Sequence, residues 1–237
     1  MLDMIGGIGG TAVYVTLVGV LVGLSAESRT MKLAAIVAAG AWGAGIVAAG
    51  ALGGFAPGIT GPVPAPVLAF AASLVLVFGS WLLSPRFRHA LLAVPLPALV
   101  GLNAARLGGA AFLVLASDGR LPAPFAPVAG WGDIGVAALA IPLAIAAAGE
   151  PARHLGWLAV WNVLGAVDLV VAVSLGILSA PGTPFQLFAA GAGTTTMASL
   201  PWVIIPALLV PLFLLVHVAI AARLNALQRT MALAVAG

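Results

Sequence analysis

The sequence predicts an all-α, polytopic membrane protein: one bundle of seven transmembrane helices, with the N-terminus outside and the C-terminus cytoplasmic. Three observations carry this. Only 6% of the 237 residues are charged and 63% are hydrophobic, whereas a soluble domain carries about 25% charge. The apolar residues fall in runs near or above the roughly 20 that a helix needs to cross a hydrocarbon core. The arginines stand mostly singly or in pairs where those runs end, which is the pattern of topology signals.

Span 1 is placed at residues 6–25. It follows MLDMIGG, which has no positive stretch, so it is read as a permanent helix and not as a cleaved leader. Arg29 and Lys32 introduce span 2 at 32–53. The uncharged loop GGFAPGITGPVPA leads to span 3 at 64–83, and Arg86 and Arg88 follow it. Span 4, residues 89–117, is long and holds Pro95 and Pro97 near its start. It must tilt, kink or open with an interfacial turn; an alternative division at Asn103–Gly109 makes it two half-helices. Spans 5 and 6, at 124–149 and 155–179, are separated by Arg153. Span 7 covers 201–223, with Arg223 and Arg229 at and beyond its end.

The loop SAPGTPFQLFAAGAGTTTMASL before span 7 is uncharged, and Asp118 balances Arg120 in the loop before span 5. Every loop with excess positive charge then falls on one side, which fixes the orientation and suits a bacterial inner (plasma) membrane. The pI of about 10.7 rests on a net charge of only +3. Those charges are scattered, so a nucleic-acid partner is excluded. The absence of cysteine excludes disulfides and thiolate chemistry.

Small residues are frequent. Gly19 with Gly23 and Gly50 with Gly54 form GxxxG pairs, which suit close helix packing or homo-oligomerisation. AWGAGIVAAGAL (41–52) also echoes GWGDIGVAALAI (130–141) at an offset of 89. That offset lays spans 1–3 on spans 4–6, in the manner of an inverted repeat.

Three charges stand inside spans: Arg106, Asp133 and Asp168. Each costs about 2.5–3.5 kcal/mol at the centre of a membrane helix, so such residues face the bundle interior and pair. At a rise of about 1.5 Å per residue all three reach the outer half or the midplane, and they are expected to meet. One arginine against two carboxylates leaves an excess negative charge, so one acid is expected to take up a proton. Asn103, one turn before Arg106, and Asn162 and Tyr14 are further candidates to line a polar cavity. Pro95, Pro142, Pro206 and Pro211 are candidate bends.

Other chemistries find less support. His89 and His154 lie at inner helix ends beside arginines, and His217 lies near the inner end of span 7. No pair of histidines is placed to face across the bundle, so no haem or zinc is expected. The one lysine, Lys32, is at the edge of span 2, which excludes a retinal Schiff base. Gly130-Trp131-Gly132-Asp133 resembles the GxGD signature of intramembrane aspartyl proteases, and Pro206-Ala207-Leu208 is similar to the PAL element of their presenilin branch. That resemblance implies a dyad of Asp133 and Asp168 around a water. The order of the two aspartates and the direction of the GxGD helix depart from that family, and Arg106 beside the pair would clamp one acid in its charged form.

The expectation is therefore a multi-pass transporter or ligand-binding membrane protein without a cofactor. Its centre is Arg106, Asp133 and Asp168, and its ligand is small and polar or anionic. The alternatives are a GxGD-like protease and a non-catalytic assembly protein in which the ions form a structural lock.

Overall fold

The computed structural model describes residues 1–236. It is all-helical, with 76% of residues in helix and no strand among those described. Seven helical segments among them are long and apolar enough to cross a membrane.

The first three are α1 (Leu2–Gly23), α2 (Arg29–Ala51) and α3 (Ala65–Leu83). The Ser28 side chain caps α2 by accepting from the Met31 amide. Pro66 at the start of α3 occupies a position where no intrahelical donor is needed. A short α4 (Pro85–Leu92) is capped by Ser84, which accepts from the Phe87 amide.

The fourth crossing, Leu96–Ser117, is not one α-helix. It runs as α5 (Leu96–Leu102), a 3₁₀ segment over Asn103–Gly109, and α6 (Ala110–Ser117). The proline pair separates α4 from α5, so the run expected over 89–117 begins with a separate short helix. The division considered at Asn103–Gly109 is real as a change of winding. Then come α7 (Phe125–Gly149), which contains Pro142, and α8 (Leu155–Leu178).

The last crossing opens with a π turn, Ile205–Leu209, and continues as α9 (Val210–Ala236). Pro211 explains part of this start. It has no N–H to offer the Ala207 carbonyl four residues earlier, and the Ser73 hydroxyl of α3 donates to that oxygen instead, at 2.6 Å. The Trp42 indole in turn donates to Ser73 Oγ at 2.9 Å. The charge pattern ends span 7 near residue 223, but the helix continues well past Arg223, whose guanidinium donates to Leu92 O.

The last crossing is the axis of the bundle. Ala207, Val216, Ala219 and Ile220 are fully buried on it. By contrast α1 buries only Leu17 and Leu21, and α2 only Gly43 and Ile46. Ile8, Val15, Val37 and Val47 on those helices face outward, the side that lipid would cover. Asp3 accepts hydrogen bonds from Arg120 at 2.8 Å and from Trp202 at 2.7 Å. These bring the start of α1 to the loops before α7 and before the π turn. At the opposite end Arg86 grips Glu27 with two nitrogens.

Candidate functional site

The three intramembrane charges meet. Arg106 lies within the 3₁₀ segment and its side chain is 1% exposed. Its Nε donates to Asp133 Oδ1 on α7 at 2.7 Å, and its Nη2 pairs with Asp168 Oδ2 on α8. Nη1 donates to the Gly165 carbonyl at 3.0 Å and faces His217 Nε2 on α9 at 3.3 Å. The Phe213 ring adds a cation–π contact, its centroid 6.0 Å from the guanidinium carbon. One cation thus ties four consecutive crossings together.

The GWGD stretch is explained by how closely these backbones approach. A Cβ at Gly130 would stand 2.8 Å from the Leu113 side chain and 3.2 Å from the Gly109 carbonyl. A Cβ at Gly132 would collide with the Asp168 carboxylate, and one at Gly109 with the Asp133 side chain. Only hydrogen at these positions leaves room for the two acids. Trp131, between the glycines, is 65% exposed and points out of the bundle.

His217 belongs to the cluster, although the sequence placed it near a helix end and offered it only as a metal ligand. It is 2% exposed. Its Nδ1 is 2.9 Å from Asn162 Oδ1, and Asn162 Nδ2 donates to the His217 carbonyl at 3.1 Å. Since Asn162 Oδ1 only accepts, Nδ1 carries the ring proton, and Nε2 is left as an acceptor for Arg106. Gly165 makes the fit, because a Cβ there would be 2.6 Å from His217 Cε1. Trp161 packs on the imidazole at a centroid distance of 5.8 Å and donates to Val136 O.

Of the other candidates, Asn162 reaches the cluster only through His217. Asn103 is fully buried but turns back, its Nδ2 donating to Leu99 O at 3.2 Å. Its Oδ1 has no partner among the described residues. Tyr14 does not join the site. Its hydroxyl donates to Ala39 O at 2.8 Å, and it lines a separate cavity of about 460 Å³ with Trp42 and Ser73, between α1, α2, α3 and α9. The expectation failed because position along a helix gives depth but not the face.

A cavity of about 240 Å³ opens above the cluster, toward the end that holds residues 55–67 and 180–198. Asp133 lines it; Arg106 does not. Arg106 is thus an ion-pairing centre. Its anion-binding role, anticipated from sequence, is not what this geometry offers, because its donors are directed at protein acceptors and it is shut off from the cavity. Nor do the two carboxylates face each other around an open space, as a protease dyad would. The guanidinium pairs with both.

Compared with known proteins, residues 63–225 match the model of one family, described as Domain of unknown function (DUF8737). The match starts just before α3 and ends within α9, so it takes in the entire ion cluster and leaves α1 and α2 outside. No curated protein and no solved structure matches the chain.

Proposed function

The chain belongs to the DUF8737 family, whose description names no activity, and we propose that it is a multi-pass membrane transporter or ligand-binding protein, proton-coupled through its Arg106–Asp133–Asp168 cluster. The observation that supports this is the charge balance of a site centred on a guanidinium whose side chain is 1% exposed. One guanidinium is shared by two carboxylates, which leaves one negative charge in excess inside the bundle. A proton on either acid neutralises the site, and such intramembrane acids commonly mark proton relays. Asp133 on the cavity wall gives that proton a route to the open end. The seven spans run with the N-terminus outside and the C-terminus in the cytoplasm of an inner membrane. This orientation puts Arg29, Lys32, Arg86, Arg88, Arg153, Arg223 and Arg229 on the cytoplasmic side and the cavity on the outer side. The bilayer is the partner this surface requires.

The test needs no cargo. Infrared difference spectra of the purified protein between acid and alkaline buffer are expected to show one protonated-carboxyl band. That band is lost in Asp133→Asn or Asp168→Asn and shifted in Arg106→Gln. Titrated in weak buffer, the protein is expected to lose one proton of uptake in the same variants. A structural lock predicts the opposite pattern: no carboxyl band and no proton uptake in wild type, with the substitutions changing stability alone.

A further inference from the structure

Resting on that reading, we propose that the cavity above the cluster is the ligand site and that it takes an organic cation, an amine or quaternary ammonium with a compact aromatic or aliphatic body. The walls decide the sign of the charge. Among the described residues, Asp133 is the one charged side chain lining the cavity, and no lysine, arginine, histidine, asparagine, glutamine or tryptophan accompanies it. An anion entering here finds no side-chain N–H to receive it. The three threonine hydroxyls on the wall are already donating: Thr183 Oγ1 to Ala180 O at 3.1 Å, Thr194 Oγ1 to Gly176 O at 2.9 Å and Thr195 Oγ1 to Ala192 O at 3.2 Å. All three therefore present lone pairs to an occupant.

Asp133 itself is only half used. Its Oδ1 is held by Arg106, whereas Oδ2 accepts no hydrogen bond among the described residues. The remaining wall is apolar and includes the rings of Phe55, Phe70, Phe112 and Phe125, whose π faces attract cations and repel anions. A cavity with an aromatic wall, acceptor oxygens and one carboxylate under a net negative cluster is complementary to a cation with an apolar body.

The same geometry gives the coupling. A proton on Asp133 and a ligand cation compete for one carboxylate. Entry of the cation releases the proton to the open end, and departure of the cation lets the proton return, so charge in the site is conserved. The exchange needs no further reactant.

The experiment uses the full-length protein in lipid nanodiscs and a matched pair of probes, benzyltrimethylammonium and phenylacetate, followed by titration calorimetry. Benzyltrimethylammonium is expected to bind, more tightly as pH rises, with a proton released in weak buffer. Phenylacetate is expected not to bind. Asp133→Asn should weaken the cation by at least about tenfold, the loss of one charge-assisted contact. Val173→Trp fills the cavity from the α8 wall away from the ions, and should abolish binding while leaving the infrared carboxyl band in place. It decides the matter if Asp133→Asn fails to fold. Binding of phenylacetate, or cation binding that ignores both pH and Val173→Trp, overturns the proposal. A protein that keeps its carboxyl band and proton uptake yet binds no cation overturns the ligand assignment alone. One that loses the proton behaviour as well overturns the transport reading with it.

Discussion

The two stretches related by the offset of 89 residues differ in what holds them. Arg106, Asp133 and Asp168 correspond in the earlier stretch to Leu17, Ala44 and Gly79. Inside the bundle, neutral bonds tie α1, α2 and α3 to their neighbours: Tyr14 to the Ala39 carbonyl, and Trp42 through Ser73 to the Ala207 carbonyl. Beside them lies a cavity of about 460 Å³. The fourth to seventh crossings are tied by a buried cation with two acids and a histidine, and glycines at 109, 130, 132 and 165 let the backbones approach. Apolar side chains gain little by leaving lipid for protein, so helix association there depends on small residues and polar contacts. The second stretch has both in one place. The first has close glycines too, Gly43 against Tyr14 and Gly50 against Leu200, but no charge beside them, and at Gly19, Gly40 and Gly45 a side-chain methyl would meet nothing within 4 Å.

Arg106→Gln breaks this contrast most severely. It leaves two acids buried without their partner, at a cost of about 3–5 kcal/mol, read as a lower melting midpoint in detergent. The triple neutralisation with Asp133→Asn and Asp168→Asn is expected to recover most of that loss while abolishing proton uptake. A mild single variant would show that the cluster is wet enough not to need the pair. Glycine substitutions sharpen the contrast next. Gly165→Ala and Gly132→Ala force a methyl into His217 and Asp168 and should cost about 1–3 kcal/mol. Gly40→Ala and Gly45→Ala meet open space and should stay within about 0.5 kcal/mol of wild type. Equal losses in both pairs would remove the difference in packing.

The smallest effect belongs to the tie between the loop joining α1 to α2 and the start of α4. Hydrogen bonding to Arg86 holds the Glu27 carboxyl below its usual range. A lowered folded-state pKa contributes stability above the unfolded glutamate pKa and loses it as pH falls through the folded value. Arg86→Gln should therefore differ slightly from wild type at neutral pH, and the difference should close in acid. Thermal melts at pH 7 and pH 3 check the sign.

The charged cluster is legible in the sequence because a charge inside an apolar run has few tolerable explanations. Arg106, Asp133 and Asp168 announce themselves by cost alone. His217 does not, for two reasons. Imidazole is cheap when neutral, and the apolar run closes on paper at Arg223, although that side chain reaches the Leu92 carbonyl and the helix runs on. A seventh span counted to its true end puts His217 well inside a helix, where its role is open to inference. Tyr14 shows the converse. Depth along α1 is readable, but the face it presents depends on which helices pack there, and that is a property of the assembled bundle. The winding of Asn103–Gly109 and Ile205–Leu209 is legible only as trouble near Asn103 and the prolines, because glycine and proline mark where a helix can depart from α geometry without saying which geometry it adopts.

That unusual winding under Arg106 has a mechanical consequence. Seven residues of 3₁₀ helix rise about 2.0 Å each in place of 1.5 Å and turn about 120° in place of 100°. Relaxing the segment to α geometry would draw the two ends of the fourth crossing together by roughly 3.5 Å and swing the guanidinium through roughly 80° about the axis. In such a relaxation, letting go of the acids and shortening the rod would be a single motion.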